Sequence, residues 1–384
     1  MRYSNSPGFR RFQRVQSTPG VSTCAKPQGA SHLRVIYRVV QARVVLAASA
    51  AFLCLAATPP NPFTFDQTPY AHAQKLVYVG DGRRLNLYCT GTGSPTVILD
   101  LGFGAPLISW GAVQPAIAKL TKVCSYERAG YGFSDPGPLP RTTSAIVDDL
   151  HHLLQNAGVS PPYIMVGHSM AGLDVRLYAD RYPSEVIGLV LVDPLVEGWD
   201  PVVQQMFPAS LADDNQVLES LANCERLAEE RQLQERSAAN RDCLPPPDRR
   251  FTASVQDARD VTKQRPGYWA DLRSEAASED GDDITELGAA GAAHGPIPLI
   301  MLSAPMDVSD YKSYGATADK MSQLENERQI LRQRVVAMSQ RGIQCMVANT
   351  GHFIQLDRPS VVIHAIEQTI QLAHDSETPS CNSL

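Results

Sequence analysis

The stretch that decides the fold is Tyr163-Ile164-Met165-Val166-Gly167-His168-Ser169-Met170-Ala171-Gly172. Its first four residues are apolar and predict a buried strand, while the residues after Ser169 predict a helix that runs to about Arg181. Gly167 and Ala171 flank Ser169 with small side chains, which allow a sharp turn between the strand and the helix. Because such a turn exposes the hydroxyl near the first N–H groups of the helix, we predict that Ser169 is a nucleophile.

Outward from this turn, short apolar runs alternate with helical patterns along most of the chain. Such alternation predicts an α/β fold, in which a mostly parallel central sheet is flanked by helices on both faces. The predicted strands are residues 76–79, 85–88, 96–101, 122–126, 163–166, 186–192, 298–303 and 344–347.

The alternation stops between the sixth and seventh predicted strands. Residues 194–295 contain no strong strand pattern and are rich in Glu, Arg, Gln and Ala, so we predict a helical cap inserted into the sheet domain. The core would then consist of residues 75–193 and 296–375. Residues 376–384 are predicted to form a loose tail.

The N-terminal segment, residues 1–74, differs in composition from the rest. It begins polar and basic and then contains an uncharged apolar run at residues 44–58. A basic flank before a short apolar run is typical of a secretory signal, and Ala71-His72-Ala73 resembles a cleavage site. We expect either export to the periplasm or the medium, or attachment to the membrane through residues 44–58.

Composition narrows the classes of partner and site. The chain has 384 residues and a formal net charge of −6, which gives no basic field for a nucleic acid. Of its eight cysteines, Cys24 and Cys54 fall in the presumed signal, which leaves an even set that permits disulfides. Because no Cys/His cluster has metal-ligand spacing, we expect neither a metal nor a cofactor, and the oligomeric state stays open.

The base that activates a serine is expected late in the chain, after the last strand. His352, in Gly351-His352-Phe353, follows residues 344–347 and precedes a helix, so we predict that it is this base. His168 adjoins the serine, but we expect its ring to face away.

The acid that orients the imidazole has two candidates. Asp193 ends the strand at residues 186–192, and Asp307 follows the strand at residues 298–303 within a few positions. A turn-capping carboxylate is the alternative for Asp193, and a solvated loop acid is the alternative for Asp307. Both remain open, with Asp310 a more distant candidate.

Two backbone N–H groups are needed to hold the oxyanion of an acyl-transfer reaction. We predict that one belongs to Met170, the residue after the nucleophile. The other is assigned to Phe103, because Gly102 and Gly104 on either side let its peptide turn inward.

Taken together, these segments resemble the α/β-hydrolase superfamily over roughly residues 75–375, and most closely its bacterial exported or membrane-associated branch. The segments that carry the resemblance are LYCTGTGSPTVILDLGFG (Leu87–Gly104), VCSYERAGYGFSDPGP (Val123–Pro138), PYIMVGHSMAG (Pro162–Gly172), LVLVDP (Leu189–Pro194) and GHFIQLDRPSVVIHAI (Gly351–Ile366). The order serine, acid, histidine along the chain matches the superfamily. Two positions depart from its common pattern, namely Leu101 before Gly102 and Ala171 in the turn, and neither removes a backbone donor.

The resemblance implies a serine hydrolase that cleaves a small or lipid-like carboxylic ester. In the resembled branch an acid after the strand at residues 298–303 is often absent, which favours Asp193. Within the resembling segments Cys89 and Cys124 lie on neighbouring core elements, which favours a disulfide between them, and Cys224 with Cys243 would staple two cap helices. A cofactor-free lyase, a perhydrolase and a non-catalytic ligand-binding homologue are the alternatives on the same fold.

Overall fold

The computed structural model describes residues 63–279, 281–290, 294–373 and 375–384. The apolar run at residues 44–58, Cys24 and Cys54 therefore lie outside the described residues. None of the described helices is both long enough and apolar enough to cross a bilayer.

The core of the described chain is one eight-stranded sheet with the order β1-β2-β4-β3-β5-β6-β7-β8. Strand β2 pairs antiparallel with β1 and with β4, and all other neighbours are parallel. The strands are β1 (Lys75–Gly80), β2 (Arg83–Thr90), β3 (Thr96–Asp100), β4 (Val123–Tyr126), β5 (Tyr163–His168), β6 (Val186–Val192), β7 (Gly295–Ser303) and β8 (Ser339–Met346). The predicted α/β class and its eight strands are confirmed.

Helices follow most of the parallel strands and also fill the long segment between β6 and β7. They are α1 (Gln114–Ile117), α2 (Thr143–Ala157), α3 (Ala171–Arg181), α4 (Trp199–Met206), α5 (Ser210–Glu229), α6 (Ala253–Lys263), α7 (Pro266–Ser278), α8 (Asp282–Ala290), α9 (Ala318–Val336), α10 (Ile354–Asp357) and α11 (Pro359–Leu372). Short 3-10 helices occur at Thr68–Ala71, Leu107–Trp110, Val308–Tyr314 and Cys381–Ser383.

The sheet is buried on both faces because successive strand residues alternate between two hydrophobic layers. In β3, Ile98 packs on the side of α2 and α3, while Val97 and Leu99 pack on the side of α11. This period of two is the reason that both layers need a cover of helices. Because β3, β5 and β6 are parallel neighbours, their carboxyl ends meet at one edge of the sheet.

Helix α2 shows how local sequence sets an element's limits. The Thr142 side chain accepts a hydrogen bond from the Ala145 N–H group and begins the helix. Gly158 ends it in the left-handed conformation with φ 69°.

The segment between β6 and β7 is helical and has an apolar cluster of its own. Cys224 and Leu227 of α5 pack there against Trp269 and Leu272 of α7. A disulfide joins Cys224 to Cys243, and α5 and α7 are in extensive contact. This small core holds α5 and α7 together, and Tyr131 from the sheet domain packs into it as well.

Three disulfides lie within the described residues. The pair favoured by the resemblance, Cys89 and Cys124, bridges β2 and β4, and Cys224 pairs with Cys243. A third bond joins the two remaining cysteines of the even set, Cys345 of β8 and Cys381 in the C-terminal tail.

Three local expectations differ from the structure. The helix expected from Trp110 is broken into a 3-10 turn and the short α1, because Pro115 removes one backbone donor. The tail is not loose: besides the bond at Cys381, the Glu377 carbonyl accepts a hydrogen bond from Arg341 Nε at 2.8 Å. Residues 63–71 are not part of a separate N-terminal segment, because Phe63 and Tyr70 are buried in the core cluster.

Candidate active site

Ser169 lies in the turn between β5 and α3 and has a φ of 56°, which is uncommon for a residue other than glycine. Its N–H group donates to the Val192 carbonyl at 3.1 Å, and its own carbonyl accepts from Gly172 and Leu195. A Cβ on Gly167 would lie 2.4 Å from the Ala171 carbonyl oxygen, so this turn requires glycine there. The predicted sharp turn is formed, and its backbone strain is held by hydrogen bonds on both sides.

His352 lies in the loop between β8 and α10 and is 5% exposed. Its Nδ1 atom is 2.7 Å from Oδ2 of Asp193. With the Nδ1 proton donated to this carboxylate, the lone pair of Nε2 remains for another partner. Ser169, His352 and Asp193 line the same cavity of about 260 Å³. The structure thus brings the predicted nucleophile, the predicted base and one predicted acid to one place.

The two acids are placed very differently. Asp193 directly follows β6, is 3% exposed, and has a φ of 42° that turns its side chain toward His352. Asp307 instead caps the 3-10 helix at Val308–Tyr314, where its carboxylate accepts the Ser309 N–H group at 2.8 Å. It does not line the cavity. The side chain of Asp310 lies outside the described part of the chain.

Arg332 of α9 is a site residue that sequence reasoning missed. Its Nη2 atom donates to Oδ1 of Asp193 at 2.7 Å, and the Ala304 N–H group donates to the same oxygen at 3.0 Å. The Arg332 side chain is 2% exposed. Helix α9 has an apolar face at Met321, Leu324, Leu331 and Val335, and Arg332 lies on that face. The helical spacing was therefore a signal for its burial, although not for its partner Asp193.

His168 does not line the cavity that contains Ser169, but its ring packs directly against the ring of His352. Its ring centroid lies 4.7 Å from that of His352, and its Nε2 atom is 3.1 Å from the His352 carbonyl oxygen. Burial, followed by the nearby His352, lowers the pKa of His168 to about 3. A neutral His168 that donates from Nε2 therefore supports the backbone of the His352 loop.

The turn after β3 passes directly against the nucleophile. A Cβ on Gly102 would lie 2.8 Å from Cβ of Ser169 and 3.0 Å from Nδ1 of His168, so only glycine fits. Phe103 follows this contact and Met170 follows Ser169. Neither N–H group donates to an acceptor within the described residues. Two unengaged backbone donors therefore flank Ser169, as an oxyanion site requires.

The walls of the cavity come largely from the loop after β6, from α4 and α5, and from the segment after β7. About half of the lining residues are apolar or aromatic, among them Leu195, Val196, Trp199, Val203, Leu218, Tyr311 and Tyr314. The others are polar or charged, among them Asp200, Asp214, Glu279 and Arg328. A cavity with both kinds of wall suits a ligand that has an apolar part and a polar part.

Comparison with known proteins shows the fold family of the chain. Residues 95–359 match the family model described as alpha/beta hydrolase fold. Uncharacterized protein YbdG of Bacillus subtilis is 30% identical over 115 residues, which cover 29% of this chain and 35% of that protein. An AB hydrolase superfamily protein of Gibberella zeae is 32% identical over 103 residues, which cover 26% and 32% of the two chains. The alignments thus span only about a third of these relatives.

Among solved structures, the epoxide hydrolase CorEH without ligand is similar with a TM-score of 0.54. It is 16% identical in sequence, and the match covers 78% of this chain and 98% of that chain. At this identity the likeness concerns the fold alone.

Proposed function

The chain belongs to the α/β-hydrolase fold family, and from this premise we propose that it is a serine hydrolase that cleaves carboxylic esters. One observation carries the proposal. Ser169, His352 and Asp193 line one cavity, and the His352 Nδ1 atom is 2.7 Å from the Asp193 carboxylate. This arrangement suits acyl transfer, which needs a nucleophile, a base and a group that orients the base.

In the proposed reaction, the Ser169 hydroxyl attacks the ester carbonyl carbon while Nε2 of His352 accepts its proton. The developing oxyanion is held by the N–H groups of Phe103 and Met170. His352 then protonates the departing alcohol, and the bond between the carbonyl carbon and the alkoxy oxygen breaks. Asp193 stabilises the imidazolium formed in between.

The second half of the reaction returns the enzyme to its first state. A water molecule gives a proton to His352 and attacks the acyl-Ser169 carbonyl, and Ser169 recovers its proton as the carboxylic acid leaves. The substrate we propose is a small or lipid-like ester, because the cavity of about 260 Å³ offers an apolar wall for the acyl chain beside polar and charged side chains.

The location of the protein is also a proposal. Three disulfides within the described residues support export to an oxidising compartment, since such bonds are rare in reducing cytoplasm. Residues 44–58 would supply the signal or the membrane anchor.

The function is tested by labelling with a fluorophosphonate probe and by turnover of p-nitrophenyl esters of several acyl chain lengths. We expect the wild-type protein to be labelled at Ser169 and to hydrolyse at least one ester, and Ser169→Ala to do neither. A folded wild-type protein that is not labelled would contradict the proposal. Labelling without turnover of any ester would instead favour the lyase or perhydrolase alternative.

A further inference from the structure

A buried ionic cluster connects the turn beside Ser169 to helix α7 of the segment between β6 and β7. Arg128, which follows β4 and is 3% exposed, donates to the carbonyl oxygens of Leu101 at 2.5 Å and of Gly102 at 3.4 Å. The Glu275 carboxylate of α7 accepts from Arg128 Nε at 3.2 Å and from Nη2 at 3.0 Å. One guanidinium therefore bonds both the turn and α7.

Tyr131 makes a second connection between the same two elements. Its hydroxyl donates to Oε2 of Glu275 at 2.6 Å and accepts the Gly104 N–H group at 3.0 Å. Three backbone groups of the turn Leu101–Gly104 are thus held by two side chains. Both side chains are bonded to Glu275, which is 1% exposed.

These bonds fix the direction of the Phe103 N–H group. The Gly102 carbonyl and the Phe103 N–H belong to one planar trans peptide, so they point in opposite directions. The carbonyl is occupied by Arg128 and by the Ala105 N–H group at 3.2 Å. With the carbonyl held on that side, the Phe103 N–H group is directed away from Arg128.

We propose that Glu275 is a positioning residue of the oxyanion site, which acts through Arg128 and Tyr131 on the Phe103 N–H group. The inference rests on the proposed function and extends it. The helical segment would then help to form the oxyanion site through the contact of α7 with Arg128 and Tyr131, in addition to lining the substrate cavity.

Two other carboxylates of the cluster compete with the turn for Arg128, which is why Glu275 is needed to hold Arg128 in place. Arg128 Nη1 also lies 3.5 Å from Asp100 and 3.4 Å from Asp174, both fully buried carboxylates. Burial raises the pKa of both carboxyl groups. A closer cation would stabilise the ionised form of each. Without Glu275, Arg128 is free to move toward these two acids and away from the Gly102 carbonyl.

The test compares Glu275→Ala and Glu275→Gln with a matched control, Glu286→Ala. Glu286 of α8 also ties the helical segment to the core, through Thr142 Oγ1 at 2.9 Å and the Ser144 N–H group at 2.7 Å. It does not bond the turn. For each folded variant, kcat and KM are measured with a p-nitrophenyl ester. The inhibition constant of a trifluoromethyl ketone is measured as well, because its adduct with Ser169 carries an oxyanion.

For Glu275→Ala we expect kcat to fall by about 10- to 100-fold, somewhat less than the loss of an oxyanion donor itself. KM should change little, and the trifluoromethyl ketone should bind more weakly by a similar factor. Glu275→Gln keeps an acceptor for Arg128 and should recover part of the loss. Glu286→Ala should keep both the wild-type kcat and the wild-type inhibition constant.

Wild-type kcat and inhibition constants in folded Glu275→Ala would overturn the inference, and so would an equal loss in Glu286→Ala. If Glu275→Ala does not fold, Tyr131→Phe replaces it, because this variant removes the hydroxyl that joins Glu275 to the Gly104 N–H group and leaves both the carboxylate and the guanidinium in place. An unchanged inhibition constant in Tyr131→Phe would overturn the inference too. If the wild-type protein shows neither labelling nor turnover, the proposed function and this inference are refuted together. If the wild type is active and Glu275→Ala keeps its kcat and inhibition constant, this inference alone is refuted.

Discussion

Arg332 Nη2 lies 2.7 Å from Oδ1 of Asp193, on the carboxylate oxygen that does not face His352. The other oxygen, Oδ2, is 2.7 Å from His352 Nδ1. Asp193 is therefore held between the Arg332 guanidinium and the His352 imidazole. A carboxylate bound on both oxygens has a fixed plane, which fixes the orientation of the imidazole.

Asp193→Asn should lower kcat by about 10⁴-fold, because an amide at this position favours the wrong imidazole tautomer. Asp307→Asn should leave kcat within about twofold, since the Asp307 carboxylate bonds the Ser309 N–H group rather than a histidine. Steady-state turnover of a p-nitrophenyl ester measures both variants. Equal, mild losses in the two variants would remove Asp193 from the proposed mechanism.

Arg332→Met should lower kcat by about 10-fold and leave KM nearly unchanged. Without the guanidinium, the Asp193 carboxylate loses a charged partner of its Oδ1 atom, and its orientation toward His352 is less well fixed. Arg334→Met, at an exposed position of the same helix, should keep the wild-type kcat in turnover of the same p-nitrophenyl ester. A wild-type kcat in folded Arg332→Met would show that Arg332 supports the fold only.

Acidification should destabilise the protein through His168. Burial lowers the pKa of His168 in the folded state to about 3, below its value of about 6.5 in the unfolded chain. The unfolded state consequently binds more protons between these values, so this contribution to stability is complete above pH 6.5 and declines as the pH falls toward 3. It should reduce the free energy of unfolding by about 2 kcal/mol between pH 7 and pH 5.

Urea unfolding of His168→Gln provides the comparison for this prediction. The wild-type protein should lose more stability than the variant between pH 7 and pH 5, since glutamine does not titrate. Parallel losses in the two proteins would mean that His168 is not the group responsible. Because His168 is not the proposed base, the folded variant should also retain measurable turnover.

Removal of residues 63–73 should destabilise the folded protein. Phe63 and Tyr70 are buried in the core cluster, and Gln67 bonds the Arg250 carbonyl at 2.8 Å and the Thr252 N–H group at 2.8 Å. The loss of two buried aromatic side chains alone should cost at least about 3 kcal/mol. Thermal unfolding of chains that begin at Phe63 and at Gln74 measures the difference.

The same packing bears on N-terminal processing. If a signal is removed, we expect the mature N-terminus to lie before Phe63 rather than at Gln74. N-terminal sequencing of protein from its native host would test this. A mature chain that begins at Gln74 and is as stable as the longer form would contradict the packing argument.

Features with a local sequence signal were predictable. The strand, turn and helix around Ser169 follow from four apolar residues, small flanking side chains and the periodicity after them. The eight strands and the helical segment before β7 follow from the change in apolar pattern. The break in the expected helix after Trp110 could also have been predicted, because Pro115 lies within that helix and lacks a backbone N–H group.

The sequence by itself determined the fold class, the nucleophile turn and the position of His352 after the last strand, because each depends on residues close together in the chain. Only the tertiary structure decided which acid meets His352, since Asp193 lies 159 positions away from it. The same holds for Arg332 and Asp193, 139 positions apart, and for Glu275 and Arg128, 147 positions apart. Periodicity and turn chemistry describe a residue's immediate neighbours. Contacts between distant charged groups are set by how the sheet and its helices pack.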